Sequence, residues 1–363
     1  MTAMAAAQAV AADWGLAVKG CLERLGPLPR GATHGLVYVA PGFADDLASA
    51  ITFLRETTPI RDWQGAVGHA VLGPEGESDA ANAMALMALR FPPGTACPFD
   101  AFDPDNPAAF RARHGAWLGR QKSVAALVHA DPANPRVAEM VAGMAASVPA
   151  FLLGGLAAAD GAAPFSGLML GDGAPLVSGL TQGCTPIGQP HRVTEAVDNV
   201  VMALDGRPAV EVLKAEAGEL IARELRRAAG VIHVALPVAG SDAADYLVRN
   251  LVAIDPKRGW IAIAEGVVNG DMLMFVRRDP NAAQRDLGRM LDGIAGRLKG
   301  RTIRGGLYVS CVARGAHMFG RIGREAEMIH ETLGSFPLVG FSASGEICND
   351  RLYAYTGVLS LFL

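Results

Sequence analysis

Two short polar segments near the end of the chain contain residue types that could bind a small zwitterion. Arg314 lies in a polar segment after the apolar residues 307–309, and Glu346 lies after a second apolar run. A guanidinium can bind a carboxylate through two charge-assisted hydrogen bonds, and a glutamate can accept hydrogen bonds from an ammonium group. We therefore predict that Arg314 and Glu346 bind opposite ends of one ligand. A salt bridge between the two residues is the structural alternative.

The apolar pattern around these segments predicts a strand, a helix and a second strand. Residues 307–309 form a β-type run, residues 322–333 have apolar side chains at near-helical spacing, and residues 336–341 form another run. Gly334 can end the helix in the left-handed conformation. Parallel strands joined by a helix end at one sheet edge, where open α/β sheets bind ligands. The predicted ligand-binding residues at this edge are Cys311, Arg314, Gly315, Ser344, Gly345 and Glu346.

A second candidate segment ends a predicted strand near the middle of the chain. It combines small polar residues with a thiol, in the order Gln182, Gly183, Cys184 and Thr185. We assign these four residues to the same ligand site, in a cleft between the two halves of the chain. Asp205 and Gly206 predict a hairpin turn shortly afterwards.

The thiols of Cys311 and Cys184 suggest a catalytic alternative. A thiol beside Arg314 could ionise more readily and act as a nucleophile or a redox sensor. Such a nucleophile needs a general base, but neither segment contains a histidine, and His191 and His317 are neighbours only in the sequence. We therefore predict no catalytic residue and keep a cysteine-dependent enzyme as the alternative.

Carboxylates and histidines offer two further alternatives. Glu265 and Glu346 could act as a catalytic pair. One neutral histidine in an apolar pocket could bind haem iron, but the eight histidines form no CxxCH motif and no metal-binding pair at helical spacing. No phosphate-binding GxGxxG or GxxxxGK[ST] motif is present. We predict no metal and no cofactor, with haem as an alternative.

The order of predicted elements repeats along the chain. Strand–helix–strand units occur at residues 35–73, 125–160, 231–267 and 306–347, and β-rich segments follow three of them at residues 83–91, 166–187 and 352–363. Such repetition predicts a duplicated α/β protein with mixed β-sheets flanked by helices. The proline-rich residues 92–115 interrupt the pattern and predict an irregular loop.

The composition is typical of a soluble globular protein. The chain has 363 residues, 51% of them hydrophobic, and its net charge of −4 argues against nucleic acid as a partner. The five cysteines are scattered and form no CxxC pair, so we expect a reducing, cytoplasmic environment. The alanine-rich start predicts a helix that packs on the body, and no segment predicts membrane attachment.

The segments GCTPIG at residues 183–188, LDGRPAVEVL at 204–213 and PLVGFSASGEI at 337–347 resemble the FIST family. The resemblance begins after the predicted N-terminal helical segment at 1–33, and it implies a FIST N-terminal domain at 34–207 and a FIST_C domain at 208–363. It also implies a sensory protein for a small ligand, such as an amino acid or a derivative, while some family members are haem-dependent nitric oxide sensors. This sequence contains no kinase, cyclase, receiver or F-box segment, so the signal is expected to pass to a separately encoded protein partner.

Overall fold

The computed structural model describes residues 4–157, 165–218, 231–238 and 245–363. The chain forms two compact units: unit 1 comprises Met1–Gln182 and Arg285–Leu363, and unit 2 comprises Gly183–Gln284. A short 3-10 helix spans Pro41–Phe43. The α-helices are α1 (Trp14–Leu25), α2 (Leu47–Thr57), α3 (Pro107–Leu118), α4 (Val137–Ser147), α5 (Ala209–Ala217), α6 (Pro280–Leu298), α7 (Gly315–Phe319) and α8 (Arg324–Leu333). None of these described helices has an apolar stretch long enough to cross a lipid bilayer.

Unit 1 contains three modules, each built around four strands in the same spatial order. The first module has the order β1-β6-β2-β3, the second β7-β10-β8-β9 and the third β11-β24-β20-β21. In chain order these strands are β1 (Met4–Val10), β2 (His34–Val39), β3 (Asp62–Val67), β6 (Ala83–Leu89), β7 (Ala96–Phe99), β8 (Val124–Ala130), β9 (Ala150–Leu156), β10 (Phe165–Leu170), β11 (Leu176–Gln182), β20 (Gly305–Cys311), β21 (Leu338–Ala343) and β24 (Thr356–Phe362).

The central strands of every module are parallel and joined by helical structure. A glycine of the later strand lies opposite the earlier strand in each module, at Val37–Gly65, Val128–Gly154 and Tyr308–Gly340. A Cβ atom on Gly154 would lie 2.0 Å from the Val128 carbonyl oxygen, and one on Gly340 would lie 1.8 Å from the Tyr308 carbonyl oxygen. The absence of a side chain therefore permits this close approach of the two strands.

Short hairpins connect the sheets of different modules. The hairpin of β4 (Val71–Gly73) and β5 (Gly76–Ser78) leaves the first module and extends the third sheet, where Val71 pairs with Phe341. The hairpin of β22 (Glu346–Cys348) and β23 (Arg351–Tyr353) leaves the third module and extends the second sheet. The buried core accordingly contains residues from all three sheets, including Leu36, Leu127 and Leu307.

Unit 2 is inserted into the third module between β11 and α6. Its eight-stranded antiparallel sheet closes on itself because β19 pairs with both β13 and β16. Helix α5 contributes Val210 and Leu213 to the core of this unit. Its strands are β12 (Cys184–Pro186), β13 (His191–Val197), β14 (Val200–Leu204), β15 (Arg207–Pro208), β16 (Ile232–Pro237), β17 (Tyr246–Asp255), β18 (Trp260–Ile263) and β19 (Met272–Arg278).

The α/β fold with mixed sheets and flanking helices is confirmed, and three of the four predicted repeats are the modules of unit 1. The fourth predicted repeat was wrong. Its helix was predicted to extend to residue 252, but the residues from Tyr246 onward form the antiparallel strand β17. In β17 Tyr246 and Val248 are buried whereas Leu247 and Arg249 are only partly buried, as expected for a strand with one face in the core. The first two positions of that predicted helix, 243 and 244, lie outside the described residues.

The alanine-rich start also differs from its predicted helical structure. Strand β1 pairs antiparallel with β6, from Met4 opposite Leu89 to Val10 opposite Ala83, before α1 begins. Pairing with an existing sheet therefore overrides the intrinsic helix preference of alanine. Residues 92–115, predicted to be an irregular loop, contain β7 and most of α3.

Candidate functional site

The two strand ends that were predicted to carry the site are neighbours in the third module. β20 and β21 are parallel, and Cys311 at the end of β20 lies opposite Ala343 at the end of β21. Ser344 and Gly345 follow β21, and Glu346 begins β22. The predicted juxtaposition of these two polar segments is therefore present in the structure.

Arg314 is buried in the protein, where its carboxylate partner is Glu325. Its side chain is only 1% exposed, and its Nε donates a 2.8 Å hydrogen bond to Glu325 Oε1. The guanidinium also lies 4.9 Å from the ring centre of Phe319. Gly315, which follows Arg314, begins helix α7. A salt bridge between Arg314 and Glu346 was the structural alternative considered from the sequence. In the structure Arg314 pairs with Glu325 instead.

Glu325 lies in the first turn of α8 and receives hydrogen bonds from three side chains. Tyr308 donates its hydroxyl to Oε1 at 2.7 Å, and Ser310 donates to Oε2 at 2.9 Å. Burial alone would lower the pKa of Arg314, but the carboxylate of Glu325 raises it above its usual value. The guanidinium therefore remains charged, and the surrounding donors compensate for the lost hydration of Glu325.

Glu346 and Cys311 are also interior groups. Glu346 is fully buried, and its Oε2 accepts hydrogen bonds from Thr356 N at 3.1 Å and Thr356 Oγ1 at 2.7 Å. Burial raises the pKa of Glu346, and burial together with the nearby Glu346 carboxyl group raises the pKa of Cys311. A raised thiol pKa disfavours the thiolate that a nucleophilic cysteine requires. The burial of Cys311 and its raised pKa therefore give no support to the catalytic alternative.

The residues from Gln182 to Thr185 lie where the chain passes from one compact unit to the other. Gln182 is the last residue of unit 1, and its backbone N donates a 2.7 Å hydrogen bond to Asp286 Oδ2. Gly183 begins unit 2, and Cys184 and Thr185 lie in β12, which pairs with β19. Their proposed contact with a ligand remains a prediction.

A small hollow lies beside the Arg314–Glu325 pair, between the β4–β5 hairpin of the first module and the third module. We call it the Glu77–Glu325 hollow. Carboxylate and hydroxyl groups make up its polar lining, and the remaining lining residues are apolar. The lining residues are Leu72, Glu77, Tyr308, Ser310, Glu325, Ala326, Phe341 and Ser342.

The Glu77–Glu325 hollow combines a small volume with two carboxylates. Its volume of about 10 Å³ is close to the minimum needed for one water-sized group. Ser342 Oγ donates to Glu77 Oε1 at 2.9 Å, and Gly323 N donates to Glu77 Oε2 at 3.3 Å. Burial raises the pKa of Glu77, and the charge of Glu325 raises it further. A cationic group in the hollow would oppose both effects.

An open groove adjoins the hollow on the protein surface. The groove has a volume of about 600 Å³ and shares Glu77 and Ala326 with the hollow. One wall is the β4–β5 hairpin, and the other is the segment from Arg321 to Glu331. Arg321 forms an ion pair with Glu327, and both side chains are exposed. Glu77 therefore lines both the small hollow and the solvent-open groove.

Glu77 and Glu325 were missed when the sequence was considered alone. Glu325 lies in the predicted helix, 11 residues after Arg314. A search of that helix for a charged residue on its buried face could therefore have identified Glu325. Glu77 is separated by 265 residues from Ser342, to which it is hydrogen-bonded. No local pattern links two residues so far apart, and only the exchanged hairpin brings them together.

Two histidines considered as haem ligands form hydrogen bonds in unit 1. His129 Nε2 lies 3.1 Å from the Tyr38 hydroxyl, and its ring lies 5.9 Å from that of Phe341. His69 Nε2 lies 2.9 Å from Ser344 Oγ. These contacts leave His129 enclosed by side chains, which does not fit a porphyrin-binding position. Within the described residues, no group of three or more histidine, cysteine, aspartate or glutamate side chains could hold a metal ion.

Two protein-family models together match most of the chain. Residues 33–207 match the FIST N domain, and residues 209–349 match the FIST C domain. The boundary between these matches differs from the boundaries of the compact units, because unit 2 includes residues on both sides of it.

Similar proteins occur in mycobacteria. The chain is 37% identical over 197 residues to uncharacterized protein Rv0628c of Mycobacterium tuberculosis, and this alignment covers 50% of each chain. It is also 37% identical over 197 residues to uncharacterized protein Mb0898c of Mycobacterium bovis, covering 50% of this chain and 49% of the relative. The chain thus matches about half the length of these curated relatives.

Proposed function

The chain belongs to the FIST family, whose domains are generally considered sensory and ligand-binding, and from this premise we propose that it senses a small metabolite carrying an ammonium group. An amino acid or a close derivative is the proposed ligand class. Its ammonium group enters the Glu77–Glu325 hollow, and the rest of the molecule lies in the adjoining groove. The proposal keeps the ligand class predicted from the sequence but assigns recognition of its ammonium group to Glu77 and Glu325.

The observation that carries this proposal is the charge balance of the hollow. Glu77 and Glu325 supply two carboxylates, whereas Arg314 supplies one buried guanidinium in direct contact with Glu325. When both carboxylates are ionised, one positive charge is missing. A ligand ammonium group supplies that charge and can donate hydrogen bonds to the carboxylate and hydroxyl oxygens.

The dimensions of the two cavities also support an ammonium-bearing ligand. The hollow can accept only one water-sized group, while the groove has room for a small metabolite. Arg321 lines the groove and can exchange its exposed pairing with Glu327 for a ligand carboxylate. Surface ion pairs contribute little stability, so this exchange costs little free energy.

A thermal-shift comparison of amino acids with their N-acetylated forms tests the assignment. We expect an amino acid to raise the melting temperature in a saturable manner, because it binds the folded state. Acetylation should remove the effect because it replaces the ammonium group with an uncharged amide. The Glu77→Gln variant should lose the same ligand-dependent shift, since it removes one of the two carboxylates.

Asp79→Asn provides a matched control for Glu77→Gln. Asp79 is an exposed residue close to Glu77 in the chain and does not line the hollow. This variant should retain the ligand-dependent shift, although it loses the same formal charge. Equal shifts in the parent protein and Glu77→Gln, or failure of every tested amino acid to stabilise the parent protein, would refute the proposal.

Signal output is proposed to pass to a separate protein partner. A sensor requires its ligand to bind one conformation or complex more tightly than another. The competing proposal is an enzyme that acts on the same metabolite, and chromatography of the binding mixture distinguishes the two. A sensor leaves the ligand unchanged, whereas an enzyme converts it during incubation.

A further inference from the structure

A second and larger cleft lies between the first and second modules of unit 1. Its volume is about 760 Å³, within the range of small-molecule sites. Helix α2 and strand β3 of the first module form one wall of the cleft. The other wall belongs to the second module and consists of residues from β7, α3 and β10, together with the residue that follows β7. The lining residues are Leu47, Ala48, Ile51, Thr52, Arg55, Asp62, Trp63, Gln64, Gly65, Pro98, Phe99, Asp100, Arg113, His114 and Ser166.

One face of α2 gives the cleft both apolar and cationic character. Leu47, Ile51 and Arg55 follow each other at four-residue intervals and line the same cavity. Trp63 and Phe99 add two large, buried aromatic side chains to the lining. The cleft can therefore bury an apolar ligand body beside a positively charged group.

The charged residues of the cleft differ in whether the protein supplies them with partners. Arg113 Nη1 lies 3.1 Å from Asp100 Oδ1, and Asp62 Oδ2 lies 3.7 Å from His34 Nε2. Among the residues that the structure describes, Arg55 has no carboxylate partner. Arg55 thus presents to this cleft a guanidinium without a carboxylate partner, and this group can pair with an anionic ligand group.

The aromatic lining also has hydrogen-bonding capacity that the protein leaves unused. Within the described part of the chain, Trp63 Nε1 and His114 Nε2 have no hydrogen-bond partner, although both atoms are buried. The other ring nitrogen of His114 lies 3.5 Å from Cys97 Sγ. Buried polar atoms without partners are costly, and a ligand that bonds to them would remove that cost.

We propose that this cleft binds a small organic carboxylate with an apolar body. This ligand is distinct from the ammonium-bearing ligand of the Glu77–Glu325 hollow. The carboxylate pairs with Arg55, and the apolar body contacts Leu47, Ile51 and Phe99. Burial of that body provides binding free energy, and the ion pair discriminates the acid from uncharged analogues.

Titration of the full chain with hexanoate, hexanamide and acetate tests this second site. We expect saturable binding of hexanoate by calorimetry, with binding at least about tenfold weaker for hexanamide, which lacks the charge, and for acetate, which lacks most of the apolar body. Equal affinities for hexanoate and either analogue would overturn the assignment. Failure to detect hexanoate binding up to about 10 mM would overturn it as well.

Arg55→Gln and Arg111→Gln make a matched pair of variants. Both arginines are exposed helical residues, but Arg111 does not line the cleft. Arg55→Gln should weaken hexanoate binding about tenfold or more, because it removes the charge-assisted contact, whereas Arg111→Gln should leave binding unchanged. Equal losses in both variants would contradict a local site. Retention of amino-acid binding by Arg55→Gln separates this test from that of the Glu77–Glu325 hollow.

Discussion

Arg314 shows how the partner of a residue changes its physical role. Its 1% exposure and its contact with Glu325 make it an interior charge, held by hydrogen bonds and by the ring of Phe319. Such a pair adds little net stability when complete, because both charges lose their hydration. Removal of one partner is costly because it leaves the other charge buried without compensation.

Arg314→Met should therefore destabilise the protein by about 3–5 kcal/mol, as expected when a buried ion pair loses one partner. Urea denaturation measures this loss. Combining Arg314→Met with Glu325→Gln should cost less than the sum of the two single variants, because neither charge then remains unpaired. A single-variant loss within about 1 kcal/mol of zero would show that Arg314 does not compensate a buried carboxylate.

At the scale of secondary-structure elements, the three modules share a close contact between parallel strands. A Cβ atom on Gly154 or Gly340 would lie within about 2 Å of a backbone oxygen of the adjacent strand, whereas one on Gly65 would lie 2.7 Å from Val37 Cγ1 and 2.9 Å from the Val37 carbonyl oxygen. A side chain can move more readily than the backbone of a central strand. The first module is therefore more tolerant of a substitution at this position than the other two.

Gly154→Ala and Gly340→Ala should each destabilise unit 1 by about 1–3 kcal/mol or more, because the added methyl group forces the paired strands apart. Gly65→Ala should have a smaller effect. Gly288→Ala in α6 is the control, since a Cβ atom there has no neighbour within 4 Å. That control should stabilise the helix by up to about 1 kcal/mol. Similar losses at all four positions, measured by urea denaturation, would contradict the proposed strand contact.

The whole molecule depends on contacts among modules that lie far apart in the sequence. Tyr38 of the first module lies 3.1 Å from His129 of the second, and its ring lies 4.9 Å from Phe341 of the third. Unit 2 leaves the third module near Gln182, whose backbone is hydrogen-bonded to Asp286 where the chain returns. The third module therefore remains continuous in space although its sequence is interrupted.

The buried imidazole between modules should make stability depend on pH. Burial lowers the pKa of His129 from 6.5 to about 4, so the unfolded chain binds a proton more readily than the folded chain. The neutral His129 side chain makes its full contribution to the free energy of unfolding above pH 6.5, and this contribution is lost as the pH falls toward 4. This shift corresponds to roughly 3 kcal/mol between these limits. His129→Gln should remove that part of the pH dependence in denaturation experiments, and an unchanged pH slope would contradict the assignment.

The sequence predicted a helix or a strand correctly where the spacing of apolar residues within that element determines its type. Apolar spacing identified the strand–helix–strand units of all three modules, and the parallel arrangement brought Cys311 next to Ala343 as expected. The alanine-rich β1 and the strand β17 were mistaken for helices. Helix and strand preferences differ by at most about 1 kcal/mol for most residues, so pairing with a neighbouring strand can reverse them.

The sequence by itself determined the repeated elements and the sheet edge near Cys311, because these follow from local spacing and chain direction. Only the tertiary structure decided that Arg314 pairs with Glu325 and that Glu77 reaches Ser342 across 265 residues. Hydrogen bonds and ion pairs depend on atoms being about 3–4 Å apart, regardless of their separation along the chain. The exchanged hairpin creates that proximity, so a local sequence pattern could not identify the complete hollow.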